Sequence, residues 1–302
     1  MAAGEGGVKT ERSMRKIVFL GAGYSARTYA RLYGGGHRLI GTTRDEARFE
    51  LLEQAGIAPL VFDGRTLSGE LRSALEEATD LVISASPDEQ GDPVLRLIAE
   101  LALPKLQWIG YLSTIGVYGD FDGEWVSEES EPRSPAQRGQ WRLLAERSWQ
   151  AFGNMRGASC AVLRLGGIYG PGRNSFVKLA EAKAHRIVKP GQVFNRTHVA
   201  DIAGALDFLM QKRESGIFNV VDDEPSPPQD VVAFAADLMD VEAPEEIAFD
   251  VAGLSPAARK FYGENRRVSN AKLRGLGYMF RYPNFRIALL RLWQDDEWHA
   301  RW

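Results

Sequence analysis

Lys16-Ile-Val-Phe-Leu-Gly21-Ala-Gly23-Tyr-Ser-Ala26 is the stretch whose reading decides the fold. Residues 17–20 form a short apolar run with β-branched members, the composition of a strand buried on both faces. Two glycines then turn the chain into an alanine- and arginine-bearing helix expected over residues 24–33. Each small residue has a physical task. Gly21 permits the sharp bend, and Gly23, lacking a Cβ, lets a pyrophosphate approach the helix N-terminus. Ala26 stands at the third small position of a dinucleotide fingerprint, where helix and strand pack closely. Gly21, Gly23, Tyr24, Ser25 and Ala26 are therefore the expected cofactor contacts of this segment. A glycine turn can also be purely structural, but a strand before it, a helix after it and a further strand at 38–41 favour the ligand reading.

The chain has 302 residues, enough for one large α/β domain or a domain with a smaller lobe, and 44% of them are hydrophobic, enough for a packed core. A net charge of −3 gives no basic footprint for nucleic acid or an anionic membrane, which leaves a small soluble molecule as the expected partner. The single cysteine, Cys160, lies in an apolar run, has no disulfide partner within the chain and is read as a packing residue of a cytoplasmic protein. Residues 1–13 are glycine-rich and polar without an apolar core, so a disordered leader is expected there, with Met14 as an alternative start. No apolar run reaches the length of a membrane span. The four histidines show no ligand spacing, and no metal site is expected.

Strand patterns at 16–20, 38–42, 58–62, 81–85, 106–112 and 158–165 alternate with helical periodicity at 45–55, 67–78, 93–101 and 139–152. Such alternation predicts a Rossmann-type, doubly wound parallel α/β sheet, whose ligands bind beyond the carboxyl ends of the strands. After the second strand stand Thr43 and Arg44, with no acid at the strand end. An arginine there accepts a 2′-phosphate where a carboxylate would pair with a free ribose hydroxyl, so NADP(H) is favoured over NAD(H). The competing reading makes Arg44 a solvated charge at a helix entry, and Asp45 suits the helix N-cap. Asp63 after the third strand is either an acceptor for the adenine amino group or a turn residue. Ser84, Ala85 and Ser86 after the fourth are small enough to let a cofactor lie flat on the sheet edge.

After the fifth strand the chain reads Tyr111-Leu-Ser113-Thr114-Ile-Gly-Val117-Tyr118-Gly119-Asp120, then an acidic loop, then Arg138-Gly139-Gln140-Trp141-Arg142 and Glu146. Later come Leu163-Arg164-Leu-Gly-Gly-Ile-Tyr169-Gly170-Pro171-Gly172, Arg196-Thr-His198-Val199-Ala-Asp201 and Gly216-Ile-Phe-Asn219-Val-Val-Asp222. In this order the motifs resemble the extended branch of the short-chain dehydrogenase/reductase superfamily, and within it the NAD-dependent epimerase/dehydratase group. The resemblance covers about residues 14–291. It implies a dinucleotide-binding domain over 14–165, to which 195–221 return, and a smaller, discontinuous substrate lobe from 166–194 and 222–302. It also places Ser113 beside the cofactor and gives Thr114 the orientation of the substrate oxygen. A helix-paired homodimer is common in the family.

Members of that superfamily use a tyrosine with a lysine four residues on, the lysine lowering the tyrosine pKa for proton transfer. Aligned on Gly139 and Glu146, those positions are Arg138 and Arg142, and none of the nine tyrosines has a lysine four residues later. Arg142 can still hold ribose hydroxyls. Arg138 stays protonated, so it is no acid or base, but it can stabilise an oxyanion or hold a carboxylate or phosphate. Tyr118 and Tyr169 are the replacement proton donors, or else packed loop aromatics. The Arg-Gly-x-Trp-Arg run resembles an atypical subgroup that carries it in place of the dyad. Two functions follow as expectations: an NADP(H)-dependent oxidoreductase or epimerase-like enzyme using Thr114, Arg138 and Tyr118, or a non-catalytic NADP(H) sensor. Arg266 and Arg267 face either an anionic substrate or solvent, His198 braces a loop, and Trp293, Trp298 and Trp302 pack on the lobe or on a second subunit.

Overall fold

Seven parallel strands carry the molecule: β1 (Lys16–Leu20), β2 (Arg38–Thr43), β3 (Ala58–Val61), β4 (Asp80–Ile83), β5 (Trp108–Thr114), β6 (Ser159–Leu165) and β7 (Gly216–Val220). The computed structural model describes residues 14–300, so the leader expected at 1–13 lies outside the described residues, as does Trp302. The strand order is β7-β6-β5-β4-β1-β2-β3. β4 is buried throughout, and β1, β5 and β6 nearly so, because helices cover both faces; they therefore read as apolar runs without alternation. β3, at the edge, is partly exposed.

The first covering layer contains α1 (Tyr24–Tyr33), with Tyr29, Leu206 and Met210 packed among Phe19, Leu163 and Phe218. The second contains α2 (Gly69–Glu76), α3 (Pro93–Ile98) and α4 (Gln137–Arg156), with Leu75, Ile98 and Trp149 among Val18, Leu81 and Ile109. Leu206 and Met210 belong to α5 (Val199–Lys212), which packs on α1. Cys160 is buried in the second layer, where desolvation pushes its thiol up to about 12.

Two boundary shifts from the sequence reading bear on the site. β5 runs on to Thr114, because Ser113 and Thr114 stay in register with Arg164 and Leu165 of β6. α4 starts at Gln137 and continues to Arg156, where Gly157 ends it at a φ of 67°, in the left-handed region. A short helix, Ser175–Ala180, is capped by Asn174.

The lobe packs Phe176, Val231, Phe285 and Leu289 together. The rings of Trp293 and Trp298 lie 5.3 and 6.3 Å from that of Phe176, so both tryptophans pack on the lobe. The arginine pair does neither of the things expected of it. Arg266 is buried and donates to the Gly119 carbonyl and to Glu264, while Arg267 donates to the Gly123 carbonyl. Both fasten the acidic loop to the lobe instead of facing solvent or substrate.

Candidate functional site

The strand order reverses between β1 and β4, and the fingerprint glycines stand there. Gly21 has a φ of +100°, and a Cβ on it would come 2.7 Å from Ser84 Oγ, whose hydroxyl donates to the Gly21 carbonyl. Only glycine fits both constraints. Gly23 is the N-cap of α1, no side chain caps the helix there, and a Cβ on it would meet nothing within 4 Å. The uncapped N–H groups of the first turn thus open on a space that a larger residue at 23 would fill, a fit for a pyrophosphate.

A cavity of about 900 Å³ extends from this point across the carboxyl ends of β1 to β4. It gathers Gly21, Gly23, Thr43, Arg44, Asp63, Ser84, Ala85 and Ser86 from the sequence reading, and adds Arg48, Arg65, Arg96 and Trp141, which that reading missed. Arg48 had a signal, standing four residues after Arg44. It ends a one-turn helix, Glu46–Arg48, capped by Asp45, whose Oδ1 accepts from the Ala47 N–H at 3.0 Å. Arg48 also lies close enough to help depress the Arg27 pKa, although burial is the larger cause. Asp63 takes the turn role of its two readings. It lines the cavity, and its Oδ1 accepts from the Arg65 N–H at 2.8 Å, the bond chiefly responsible for holding its pKa down.

The remaining predicted residues lie outside this cavity. Tyr24 donates to the Pro171 carbonyl at 2.8 Å, tying α1 to the loop that enters the lobe, and Ala26 is buried against the sheet. Ser113 is also buried, and its hydroxyl donates to Glu146, which forms an ion pair of 2.8 Å with Arg164. Ser113 therefore supports the core and is not offered to a cofactor. Tyr118 is fully buried, donates to Asn219 Oδ1 at 2.8 Å and lies under the Arg164 guanidinium, 4.8 Å from its ring. Burial raises its pKa, and its proton is already committed within the core, which corrects its reading as a proton donor. The Tyr169 hydroxyl is likewise buried and its pKa raised by desolvation.

Thr114 sits half-buried at the end of β5, where its Oγ1 accepts from the Gly116 N–H at 3.1 Å and keeps its own proton to donate. Arg138 is exposed on the first turn of α4. One turn on, Arg142 donates to Tyr111 Oη at 3.1 Å, to the Leu112 carbonyl at 3.2 Å and to Ser86 Oγ at 3.4 Å. That bridge fixes its guanidinium between the ends of β4 and β5. His198 caps α5 by accepting the Ala200 N–H on Nδ1 at 3.2 Å, and burial lowers its pKa to about 3. It is a neutral brace. Among the described residues no group of three or more His, Cys, Asp or Glu is placed to hold a metal, and no helix is long and apolar enough to cross a membrane.

The chain matches no family model. It is similar to a conserved protein of unknown function from Silicibacter pomeroyi DSS, at 43% identity and a TM-score of 0.84 over 94% of this chain and 100% of that one. A protein from Methylobacillus flagellatus assigned to the NAD-dependent epimerase/dehydratase type is 25% identical, with a TM-score of 0.70 over 94% of this chain and 99% of its own. Protein YeeZ of Escherichia coli K12 is 28% identical over 229 residues, 68% of this chain and 77% of that protein. The parallel sheet, the glycine turn at its switch point and these likenesses agree: the chain has the fold of the extended short-chain dehydrogenase/reductases and is similar in sequence to a protein of the NAD-dependent epimerase/dehydratase type.

Proposed function

We propose that the cleft binds NADP(H), and that the protein is an NADP(H)-dependent oxidoreductase or epimerase-like enzyme acting on a small substrate. The observation that carries this reading is the presence of both Arg44 and Arg48 on the cavity wall at the end of β2, where Asp45, on the same wall, commits Oδ1 to capping its own helix. Two guanidinium groups suit a 2′-phosphate, whereas a free ribose hydroxyl wants a carboxylate. Solved proteins of this fold hold NAD in one case and NADPH in another, so the choice rests on the residues of this chain.

When bound, the nicotinamide supplies hydride transfer. The chain's own groups do the rest. The open N-terminus of α1 holds the pyrophosphate. Arg142, already fixed against Ser86 and Leu112, presents its remaining donors to ribose hydroxyls. Thr114 donates to the substrate oxygen, and Arg138, permanently charged, offsets negative charge on the substrate. With the hydroxyls of Tyr118 and Tyr169 buried, water between Thr114 and Arg138 is the proton carrier.

The same burial favours a second reading, a non-catalytic sensor of the NADPH/NADP+ ratio. Titration of NADPH and NADH by fluorescence quenching tests the cofactor assignment. Tighter binding of NADPH, lost in an Arg44→Gln, Arg48→Gln variant, is the expected result, and equal affinity for both nucleotides refutes it. A metabolite screen following NADPH oxidation separates the two readings. Turnover of any substrate supports the enzyme, and turnover appearing only in an Arg138→Tyr, Arg142→Lys variant supports the sensor.

A further inference from the structure

Trp141 has no place in the roles assigned so far. The inward stripe of α4 is Ala145, Trp149 and Phe152, all buried in the core beneath the sheet. Trp141 stands four residues before Ala145 and eight before Trp149, so it continues that stripe one turn towards the N-terminus. The core does not reach that far. Its upper edge is already closed by Trp149 stacked on Tyr111 at 6.4 Å, and Arg142 covers the Tyr111 hydroxyl. The indole therefore emerges into the cavity, half-buried, and lines it together with Ser86, Pro93 and Arg96.

The cavity wall formed by residues 86–92 is held firmly. Asp88 and Gly91 exchange backbone hydrogen bonds of 3.0 Å, Arg96 pairs with Asp88 at 2.7 Å, and Asp92 caps α3 through the Val94 and Leu95 N–H groups at 2.9 and 3.1 Å. The floor at Ser84, Ala85 and Ser86 is made of small residues. An aromatic face beside a braced wall and over a flat floor suits a flat guest. A large apolar ring left in a wet cleft gains most by covering another ring.

We propose that Trp141 is a binding residue whose indole stacks on a planar heteroaromatic ring of the dinucleotide, adenine or nicotinamide. The inference rests on the dinucleotide reading and adds to it a platform that sets the position of one end of the cofactor.

The test compares the wild type with Trp141→Phe and Trp141→Leu, measuring Kd by calorimetry for NADPH and for 2′,5′-ADP, which lacks the nicotinamide half. Both variants keep apolar bulk at 141, but only one keeps an aromatic ring. Stacking on an aromatic side chain is worth roughly 5- to 100-fold in affinity, so Trp141→Leu is expected to weaken NADPH about tenfold while Trp141→Phe retains most of the binding. If Trp141→Leu weakens 2′,5′-ADP in parallel, the stacked ring is adenine; if 2′,5′-ADP binds unchanged, it is nicotinamide. Both results support the platform. Equal NADPH affinity in all three proteins overturns it, as does equal loss in Phe and Leu variants that melt at the wild-type temperature. A wild type that binds neither ligand overturns the dinucleotide reading itself, and the platform with it.

Discussion

The end of the cleft at the tips of β2 and β3 and the region beneath Thr114 are both rich in polar groups, yet they use them in opposite ways. At the first, Arg44, Arg48 and Arg65 border a cavity and the first turn of α1 has no side-chain cap. At the second, Ser113, Glu146 and Arg164 bond to one another, with Tyr118 under Arg164 and bonded to Asn219. A charge that faces a cavity is available to a ligand, and a charge that faces its complement inside the core is structural. Replacements at the second region should therefore cost stability, and replacements at the first should cost affinity.

The sharpest break in this contrast would come from Glu146. Glu146→Ala leaves the Arg164 guanidinium buried without its partner and is expected to lower the unfolding free energy by about 3–5 kcal/mol in a urea titration. Unaltered stability would show that the pair is not as enclosed as described. Gly23→Val tests the other region. A Cβ there meets no protein atom within 4 Å, so melting should change less than binding, while NADPH affinity falls roughly 100-fold, or about 2.7 kcal/mol. Gly21→Ala makes a useful contrast, since its φ and its contact with Ser84 predict a loss of stability as well.

A smaller effect is expected at the arginines. If the proposed NADP(H) reading holds, Arg44→Gln removes a charge-assisted contact of about 1.5–3 kcal/mol with the 2′-phosphate, which should show as weaker NADPH binding with NADH unaffected. Equal losses for both nucleotides would place Arg44 elsewhere on the ligand. The gentlest test uses pH. His198 is neutral in the fold with a pKa near 3, below its ordinary 6.5, so the unfolded chain takes up the proton first and stability falls as pH drops from 6.5 towards 3. Asp201, raised by burial to about 6 from 3.8, acts in the opposite sense between those two values, because the folded state holds that proton more tightly. The comparison of wild type with His198→Asn isolates the histidine. Their difference in unfolding free energy should change by about 1.4 kcal/mol per pH unit on acidification below 6.5, and parallel curves would sink the assignment.

The frame of this protein is legible from residues alone because its central strands are covered on both faces, leaving unbroken apolar runs between helical stretches. Gly21 and Gly23 were readable for a local reason: a turn between strand and helix needs them whatever surrounds it. Ser113 was not. Ending β5 at residue 112 puts Ser113 and Thr114 in a loop, free to face the ligand together. As strand neighbours they point to opposite faces, and Ser113 falls on the side where Glu146 waits. Tyr118 was misread for a similar reason. Its one-turn helix, Ile115–Tyr118, carries it beneath the sheet edge towards Asn219, a neighbour 101 residues away that no local pattern announces. Trp141 and Arg96 meet the cavity only because α3 and α4 share one core layer, and that association is a property of the packed fold.

The bond from Tyr24 to the Pro171 carbonyl is a non-covalent tie between the first residue of the opening helix and a loop 147 residues further along the chain. Tyr24→Phe removes one hydrogen bond of about 1 kcal/mol and so measures, in a urea titration, how firmly the two distant segments hold one another.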